Sequence, residues 1–184
     1  MKGTRSRGKS PMDDRAQQRE LLQSRKDQAE LLMITDLERN DLGRVCDYGS
    51  VKVKRMRTLE KYRTVFQTTS TVEGRLSKDK DCFDLLRACF PGGSITGCPK
   101  IRAMQIIEEL EPSARSIYTG AMGYISFSGE MDLNILIRTM LVSQKKIHFH
   151  VGGGIVADST PEEEYEETSV KARAMEECLK RIFS

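Results

Sequence analysis

The sequence predicts an α+β fold in which helices cover an antiparallel sheet. Three observations carry this prediction. Segments rich in β-branched residues recur at short spacing with turn residues between them, which is typical of antiparallel strands. Other segments are charged, lack Gly and Pro, and place apolar residues on one helical face. With 184 residues and 38% hydrophobic content, the chain is long enough to bury a core.

The first part of the chain predicts one long helix followed by two strands. Residues 1–12 are basic and contain glycine, which indicates a loop segment. Residues 13–32 lack Gly and Pro and predict a long helix, and the polar stretch 33–45 indicates its end or a turn. Residues 50–56 and 62–76 alternate in polarity and are rich in β-branched residues, so both are predicted strands.

The middle of the chain predicts two helices separated by a glycine-rich loop. Residues 81–90 are expected to form the first helix, which is short. The loop PGGSITG then leads to Pro99 at the first position of a helix over 100–110. That helix spaces four residues for one apolar face: Ile101, Met104, Ile107 and Leu110.

The last third predicts three strands and a final helix. Residues 116–128, 132–143 and 145–156 are predicted strands with GE and QKK at the two turns, and we expect them to form an antiparallel meander. The final helix is expected over 161–183. It places four apolar or aromatic residues on one side: Tyr165, Ala172, Met175 and Leu179.

Composition argues against several classes of function. The net charge of +3 comes from thirty basic and twenty-seven acidic side chains spread along the chain, so no nucleic-acid partner is implied. The basic start KGTRSRGK is too short, and too quickly followed by acids, to favour one. Five cysteines without a C-x-x-C pair indicate a reduced, intracellular protein. No apolar run approaches the length of a membrane span, so we expect a cytoplasmic protein with no membrane partner.

Three consecutive glycines precede the final predicted helix. Gly152, Gly153 and Gly154 remove side chains from the end of a strand, which lets backbone amides contact a ligand. In the helix that follows, Glu164 and Glu167 lie three apart and point from one face. An acid-rich first turn is equally typical of ordinary helix ends, because it complements the helix dipole.

A second acidic pair, Asp27 and Glu30, lies on the first predicted helix. Mg²⁺ takes few carboxylates and leaves room for waters and an anionic substrate, so one Glu from each of two helices would suit it. The GSITG loop would expose amides at a helix N-terminus, which suits a carboxylate or phosphate. Arg138, inside a predicted strand, could clamp a second carboxylate, although such an Arg is more often solvated or ion-paired. These residues predict a Mg²⁺-dependent site for a small polyanionic molecule.

Six motifs, in order, carry a resemblance over essentially the whole chain: KGTR, AELLMITDLERNDLGRV, FPGGSITGCPKIRAM, TGAMGYISF, NILIRT and GGGIVADSTPEEEYEET. Together they resemble the C-terminal part of the chorismate-utilising enzymes, with aminodeoxychorismate synthase component I as the most similar branch. The resemblance implies that residues 1–184 are the C-terminal part of a chorismate-binding domain whose N-terminal half is absent.

The resemblance also implies roles for individual residues. Glu30 and Glu167 match the two glutamates that hold Mg²⁺. Asp27 and Glu164 match the accompanying acids, which ligate through water or handle protons, and Lys2 matches the catalytic lysine of the aminodeoxychorismate synthases. The positions that surround chorismate in the family are matched by Gly3, Thr4, Ser94, Tyr118, Arg138, Gly152, Gly153, Gly154 and Lys171.

The implied chemistry explains why such residues are needed. In the lysine-bearing branch a neutral lysine amine adds to the chorismate ring as the ring hydroxyl leaves. Ammonia from a glutamine amidotransferase subunit then displaces the lysine and gives 4-amino-4-deoxychorismate, the precursor of p-aminobenzoate in folate synthesis. Mg²⁺ and basic groups hold the substrate carboxylates while a proton donor assists the departing hydroxyl.

Two departures from the family pattern affect these expectations. Family members are more than twice as long, so we expect this chain alone to be inactive unless another polypeptide supplies the N-terminal half. Gln67 stands where many relatives have His, and Gln can donate a hydrogen bond but cannot transfer a proton at neutral pH.

Three alternatives stay open. Anthranilate synthase component I aminates a different ring carbon and eliminates pyruvate, and it usually has Ala at the position of Lys2. Isochorismate and salicylate synthases use water and have a different lysine pattern. A non-catalytic remnant would retain the fold and bind chorismate without turnover.

Overall fold

Two units divide the chain, and the computed structural model describes residues 1–157 and 159–183 of it. The first unit is Met1–Ala103 and the second is Met104–Ser184. Both combine helices with antiparallel strands, which confirms the predicted α+β class.

The first unit contains a three-stranded antiparallel sheet in the order β1-β3-β2. Helices α1 and α2 both contact β3, the central strand. The two strands predicted over 50–56 and 62–76 are present as β2 and β3. The elements are β1 (Lys2–Ser6), α1 (Pro11–Gln23), α2 (Arg25–Gly43), β2 (Lys52–Lys61), β3 (Val65–Glu73), α3 (Cys82–Cys89) and a single 3₁₀ turn, Gly93–Ile95.

The prediction of a loop over residues 1–12 is wrong, because Lys2–Ser6 forms strand β1. This strand pairs antiparallel with β3, and Arg7 anchors its end. The Arg7 guanidinium donates to the Asp14 carboxylate and to the Tyr62 carbonyl, and it lies 5.0 Å from the centre of the Phe66 ring. A basic, glycine-containing segment resembles a loop in isolation, and only its distant partners make it a strand.

The single helix expected over 13–32 is two helices, and the polar stretch 33–45 continues the second of them. Ser24 separates α1 from α2, with extended backbone (φ −61°, ψ 112°), and its hydroxyl accepts a hydrogen bond from the Asp27 amide at 3.1 Å. Arg57 of β2 donates to the carbonyls of Leu21 and Ser24 at 3.0 and 3.1 Å. The break therefore satisfies backbone groups that a helix end would leave free.

The core of the first unit lies between the two long helices and the sheet. Phe66 and Leu21 are fully buried, and Leu31 is 2% exposed. The other buried apolar residues of this unit are Ile34, Leu37, Val45 and Ala88.

The second unit contains two separate hairpins, β4–β5 and β6–β7, so the expected three-stranded meander is wrong. The strand expected over 132–143 is interrupted at Arg138, whose φ of 52° lies in the left-handed region and does not fit a strand. The turn predicted at QKK is confirmed: Gln144 and Lys145 have φ of 50° and 62°, as a two-residue hairpin turn requires. The elements are β4 (Ala121–Ile125), β5 (Met131–Ile135), β6 (Met140–Ser143), β7 (Lys146–Phe149) and α5 (Pro161–Phe183).

Helix α4 (Lys100–Leu110) crosses the boundary between the units, and Pro99 lies one residue before it. The helix is present as predicted, but its predicted apolar face is not buried, since Ile101 and Leu110 are 75% and 73% exposed. The predicted bounds of α5 are confirmed.

On helix α5, Ala172 and Met175 are buried as predicted, whereas Tyr165 is 76% exposed. Elsewhere, all five cysteines are free, and burial raises the pKa of the Cys89 thiol to about 11. Within residues 1–157 and 159–183, no helix has the length and apolar character to cross a bilayer.

Candidate functional site

Lys2 and Glu30 form an ion pair in the first unit. The Lys2 Nζ atom lies 2.8 Å from the Glu30 Oε2 atom, and the Glu30 side chain is only 9% exposed. Lys2 comes from strand β1 and Glu30 from the second turn of α2. The Thr68 hydroxyl, fully buried in β3, donates to the Lys2 carbonyl and fixes the strand at this point. The lysine is therefore held at both its backbone and its side chain.

Gly3 lies beside this pair, and the local geometry requires glycine there. Its φ is +77°, and a Cβ atom would lie 2.9 Å from Leu21 Cδ1 and 3.1 Å from the Asp27 carboxyl carbon. The register of β1 against β3 shifts between Lys2 and Thr4, as at a β-bulge. The backbone can therefore run close to Asp27 only because no side chain intervenes.

Thr4 and Asp27 complete the cluster in the first unit. The Gln67 amide donates to the Thr4 hydroxyl at 3.2 Å, so the residue that stands where many relatives have His contacts a predicted substrate-binding residue. Asp27 accepts from Arg5 Nη2 at 3.3 Å. Ser94 is exposed in the 3₁₀ turn, where Gly93 packs against Leu37, and the structure shows no hydrogen bond between Ser94 and the described residues of this cluster.

In the second unit, Gly152 and Gly153 lie beside residues of helix α5. A Cβ atom on Gly153 would lie 2.9 Å from Glu164 Oε2 and 3.9 Å from Lys171 Nζ. Glu164 is 7% exposed, and its Oε1 atom accepts from the Ser159 hydroxyl at 2.6 Å. Because Gly153 has no side chain, the buried Glu164 carboxylate can lie against its backbone.

Lys171 connects the glycine segment to the acidic helix. Its Nζ atom donates to the Gly152 carbonyl at 2.9 Å and lies 2.6 Å from Glu167 Oε1. Tyr118 also lies close to Gly152, since a Cβ atom on Gly152 would lie 2.7 Å from the Tyr118 hydroxyl oxygen. The structure thus brings most of the residues predicted in this unit into one cluster: Tyr118, Gly152, Gly153, Glu164, Glu167 and Lys171.

Two predicted residues do not join this cluster through any contact that the structure shows. Arg138 is exposed in the segment between β5 and β6, and it makes no ion pair within the described ranges. The expectation that it sits inside a strand is wrong. Gly154 is exposed next to Gly153.

Comparison with known proteins decides the family. The chorismate binding enzyme family matches residues 1–177. The chain belongs to the chorismate binding enzyme family. It is 48% identical to anthranilate synthase component 1 of Synechocystis sp. over 98% of this chain and 36% of that protein. It is 47% identical to aminodeoxychorismate synthase component 1 of Bacillus subtilis, over 96% of this chain and 38% of that protein.

Solved structures show the same chorismate-binding fold. Anthranilate synthase component I of Streptococcus pneumoniae superposes with a TM-score of 0.83 at 41% identity, covering 92% of this chain and 41% of that one. The menaquinone-specific isochorismate synthase MenF of Escherichia coli has a TM-score of 0.83 at 23% identity, which shows the fold alone. The chain spans 36–38% of the first two curated relatives. Relatives named anthranilate synthase and aminodeoxychorismate synthase match about equally well, at 48% and 47% identity, so similarity identifies the family and not the branch.

The donor chemistry of this family member fits Mg²⁺, which prefers a few carboxylate oxygens and retains waters. Glu30 and Glu167 carry such oxygens, and each is paired to a lysine in its own unit. Across the described ranges, no group of three or more His, Cys, Asp or Glu side chains could hold a metal ion by itself.

Three residues that support these clusters were not predicted from the sequence. Thr68 fixes the backbone of Lys2, and a lone Thr in a strand carries no sequence signal for that role. Glu111 and Arg115 form an ion pair, and the Arg115 guanidinium lies over the Tyr118 ring. Their spacing of four residues is a signal for an ion pair that could have been noticed.

Proposed function

We propose that this chain carries chorismate-binding and catalytic residues of an aminodeoxychorismate synthase component I. The observation that supports this branch most directly is the position of Lys2, which stands at the catalytic lysine of that branch and lies 2.8 Å from the buried carboxylate of Glu30. Anthranilate synthases usually have Ala at that position. A solvated lysine on a frayed terminus would not be paired to a buried acid.

Lys2 acts as the nucleophile in this proposal. The Lys2 ammonium first gives a proton to the Glu30 carboxylate, 2.8 Å away. The free amine Nζ then forms a bond to a chorismate ring carbon while the bond to the ring hydroxyl breaks. The hydroxyl leaves as water after taking a proton from an acid, for which Asp27 and Glu164 are the candidates. Ammonia then forms the new carbon–nitrogen bond as the bond to Lys2 breaks, so Lys2 is regenerated and 4-amino-4-deoxychorismate is released.

The remaining residues hold the substrate. Lys171 presents an ammonium group beside the Gly152 carbonyl, and Tyr118 presents its hydroxyl to the same glycine, so both can meet a substrate carboxylate. Burial raises the pKa of the Tyr118 hydroxyl, which keeps it protonated as a donor at neutral pH. Glu30 and Glu167 are the residues that we propose as ligands of Mg²⁺, which would supply positive charge to the substrate carboxylates when bound. We further propose that the ammonia comes from a glutamine amidotransferase partner.

Anthranilate synthase component I is the second candidate, because a relative of that name is 48% identical over 98% of this chain. The two functions give different products from the same substrates. Product identity therefore separates them better than any sequence comparison.

The test is conversion of chorismate with Mg²⁺ and ammonium, followed by chromatography of the products. Because the chain spans 36–38% of two curated relatives, the assay is run with and without a polypeptide made of the remainder of the Bacillus subtilis relative. Lys2→Ala should abolish formation of 4-amino-4-deoxychorismate, whereas Lys9→Ala, at an exposed lysine, should leave it unchanged.

Each outcome has a distinct meaning. Anthranilate as the product would overturn the proposed branch in favour of the second candidate. Absence of product together with calorimetric binding of chorismate would indicate a non-catalytic binding role. Absence of both product and binding in either mixture would contradict the proposal altogether.

A further inference from the structure

We infer that Glu111 and Arg115 are positioning residues that hold Tyr118 against the glycine segment and so set the affinity for chorismate. This inference rests on the proposed function, because it assigns a role in binding the same substrate. It concerns residues outside the predicted site, and every contact in it lies within the second unit.

The Glu111–Arg115 pair is a fork with two parallel contacts. Arg115 Nε lies 2.9 Å from Glu111 Oε2, and Arg115 Nη2 lies 2.6 Å from Glu111 Oε1. Glu111 follows the last residue of α4 and continues its hydrogen bonding through a bond from its amide to the Ile107 carbonyl at 2.9 Å. Bidentate pairs of this kind fix the plane of the guanidinium as well as its position. The hydrogen bonds from Arg115 lower the pKa of the Glu111 carboxyl, so the pair is charged at neutral pH.

The fixed guanidinium lies over one face of Tyr118. The central carbon of the Arg115 guanidinium is 5.8 Å from the centre of the Tyr118 ring, within the range of a cation–π contact. The backbone between them forms a turn, in which the Tyr118 amide donates to the Arg115 carbonyl at 2.9 Å. Arg115 also donates to the Thr119 hydroxyl at 3.3 Å. The guanidinium therefore holds both the ring and the segment that carries it.

Two further contacts of Tyr118 lie at its ring and at its hydroxyl. The His150 ring meets it edge-on, with ring centres 5.4 Å apart and planes at 79°. The hydroxyl lies so close to Gly152 that a Cβ atom there would be 2.7 Å from it. A ring held by Arg115 and His150 can keep its hydroxyl at the glycine segment only while Arg115 keeps its own position.

The experiment uses the full chain labelled with ¹³Cζ-tyrosine. Its five tyrosines give five resonances, and Tyr118→Phe identifies one of them. Glu111→Gln removes the charge but keeps the size. Glu108→Gln is the matched control, since Glu108 is an exposed glutamate on α4, three residues before Glu111. We expect Glu111→Gln to move the Tyr118 resonance and to weaken chorismate binding about tenfold, by analogy with the loss of one charge-assisted contact. Glu108→Gln should change neither.

A double variant separates positioning from a general structural effect. If Glu111 acts through Tyr118, adding Glu111→Gln to Tyr118→Phe should weaken chorismate binding no further than Tyr118→Phe alone. Independent, additive losses, or an unmoved Tyr118 resonance in Glu111→Gln, would overturn the inference. If the unmodified chain binds no chorismate, the proposed function fails, while the resonance still decides whether Glu111 positions Tyr118.

Discussion

The two units hold their site residues by different means. In the first unit, Lys2 and Glu30 belong to a strand and a helix that pack on a common core containing the fully buried Phe66 and Leu21. In the second unit, the described residues include only three buried apolar side chains: Leu136, Ala172 and Met175. Its hairpins have two strands each, and isolated two-stranded hairpins are marginal in water.

Polar contacts carry more of the organisation in the second unit. Glu164 is fixed by Ser159, Lys171 by the Gly152 carbonyl and Glu167, and Tyr118 by Arg115. Several large apolar side chains of the same unit remain exposed, among them Phe127, Tyr124 and Val142. The lysine–glutamate pair therefore depends on core packing, whereas the glycine cluster depends on hydrogen bonds and ion pairs.

The largest expected effect is therefore loss of core packing in the first unit. Phe66→Ala should lower the free energy of unfolding by about 3–5 kcal/mol, because it removes a fully buried aromatic ring and leaves a cavity. Phe127→Ala is the matched control in the second unit, where the side chain is fully exposed, and it should change stability by less than about 0.5 kcal/mol. Urea unfolding followed by circular dichroism measures both.

Similar losses in the free energy of unfolding from Phe66→Ala and Phe127→Ala would contradict this difference between the units. Such a result would mean that Phe127 is covered in solution and that the second unit has a core of its own. Hydrogen exchange would locate that core, since the amides of β4 and β5 would then be as strongly protected as those of β1 and β3.

The sequence predicted those elements whose ends are set by residues at the ends themselves. Helix α5 begins at Pro161, which suits the first helical turn, and the QKK turn has the two positive φ angles of its hairpin type. Strand β1 could not be predicted in this way, because its identity depends on pairing with β3 and on the contact between Arg7 and Asp14. The break at Ser24 did carry a signal, namely a Ser three residues before Asp27.

The candidate site divides in the same way. Resemblance to the family named Lys2 and Glu30 separately, and no spacing between them predicts that their side chains meet. Glu164, Glu167 and Lys171 share one helix, so their grouping follows from helical periodicity. The glycines meet that helix through tertiary structure, and the support that Arg115 gives to Tyr118 depends on a turn that was expected to be a strand.

An intermediate effect is expected at Gly3, with Gly49 as its control. Both residues have similar φ angles, +77° and +74°, so replacement by Ala strains both backbones alike, by about 1–2 kcal/mol. Only at Gly3 does the new Cβ atom meet other atoms, Leu21 Cδ1 at 2.9 Å and Asp27 at 3.1 Å, whereas nothing lies within 4 Å at Gly49. Gly3→Ala should therefore cost about 1–3 kcal/mol more than Gly49→Ala in urea unfolding. Equal losses would show that strand β1 can move away from α2 without penalty.

The smallest effect is expected in the pH dependence of the first unit. Hydrogen bonds from Arg7 hold the pKa of the Asp14 carboxyl below its usual range. A carboxyl with a depressed folded pKa contributes stability above its unfolded pKa, about 3.9, and loses that contribution as pH falls through the folded pKa. Asp14→Asn should therefore be less stable than the unmodified chain at neutral pH, and the difference should shrink steadily below about pH 4.

Thermal melts of the two proteins between neutral pH and about pH 2.5 measure this difference. Asp13→Asn is the control, because Asp13 is an exposed neighbour on the same helix. The stability difference between Asp14→Asn and the unmodified chain could instead stay constant down to acid pH. Asp14 would then act through its shape, or through the hydrogen bond that it accepts from the Gly8 amide, and not through its charge. In that case strand β1 would be anchored by packing, as the rest of the first unit is, and its end would not depend on an ion pair.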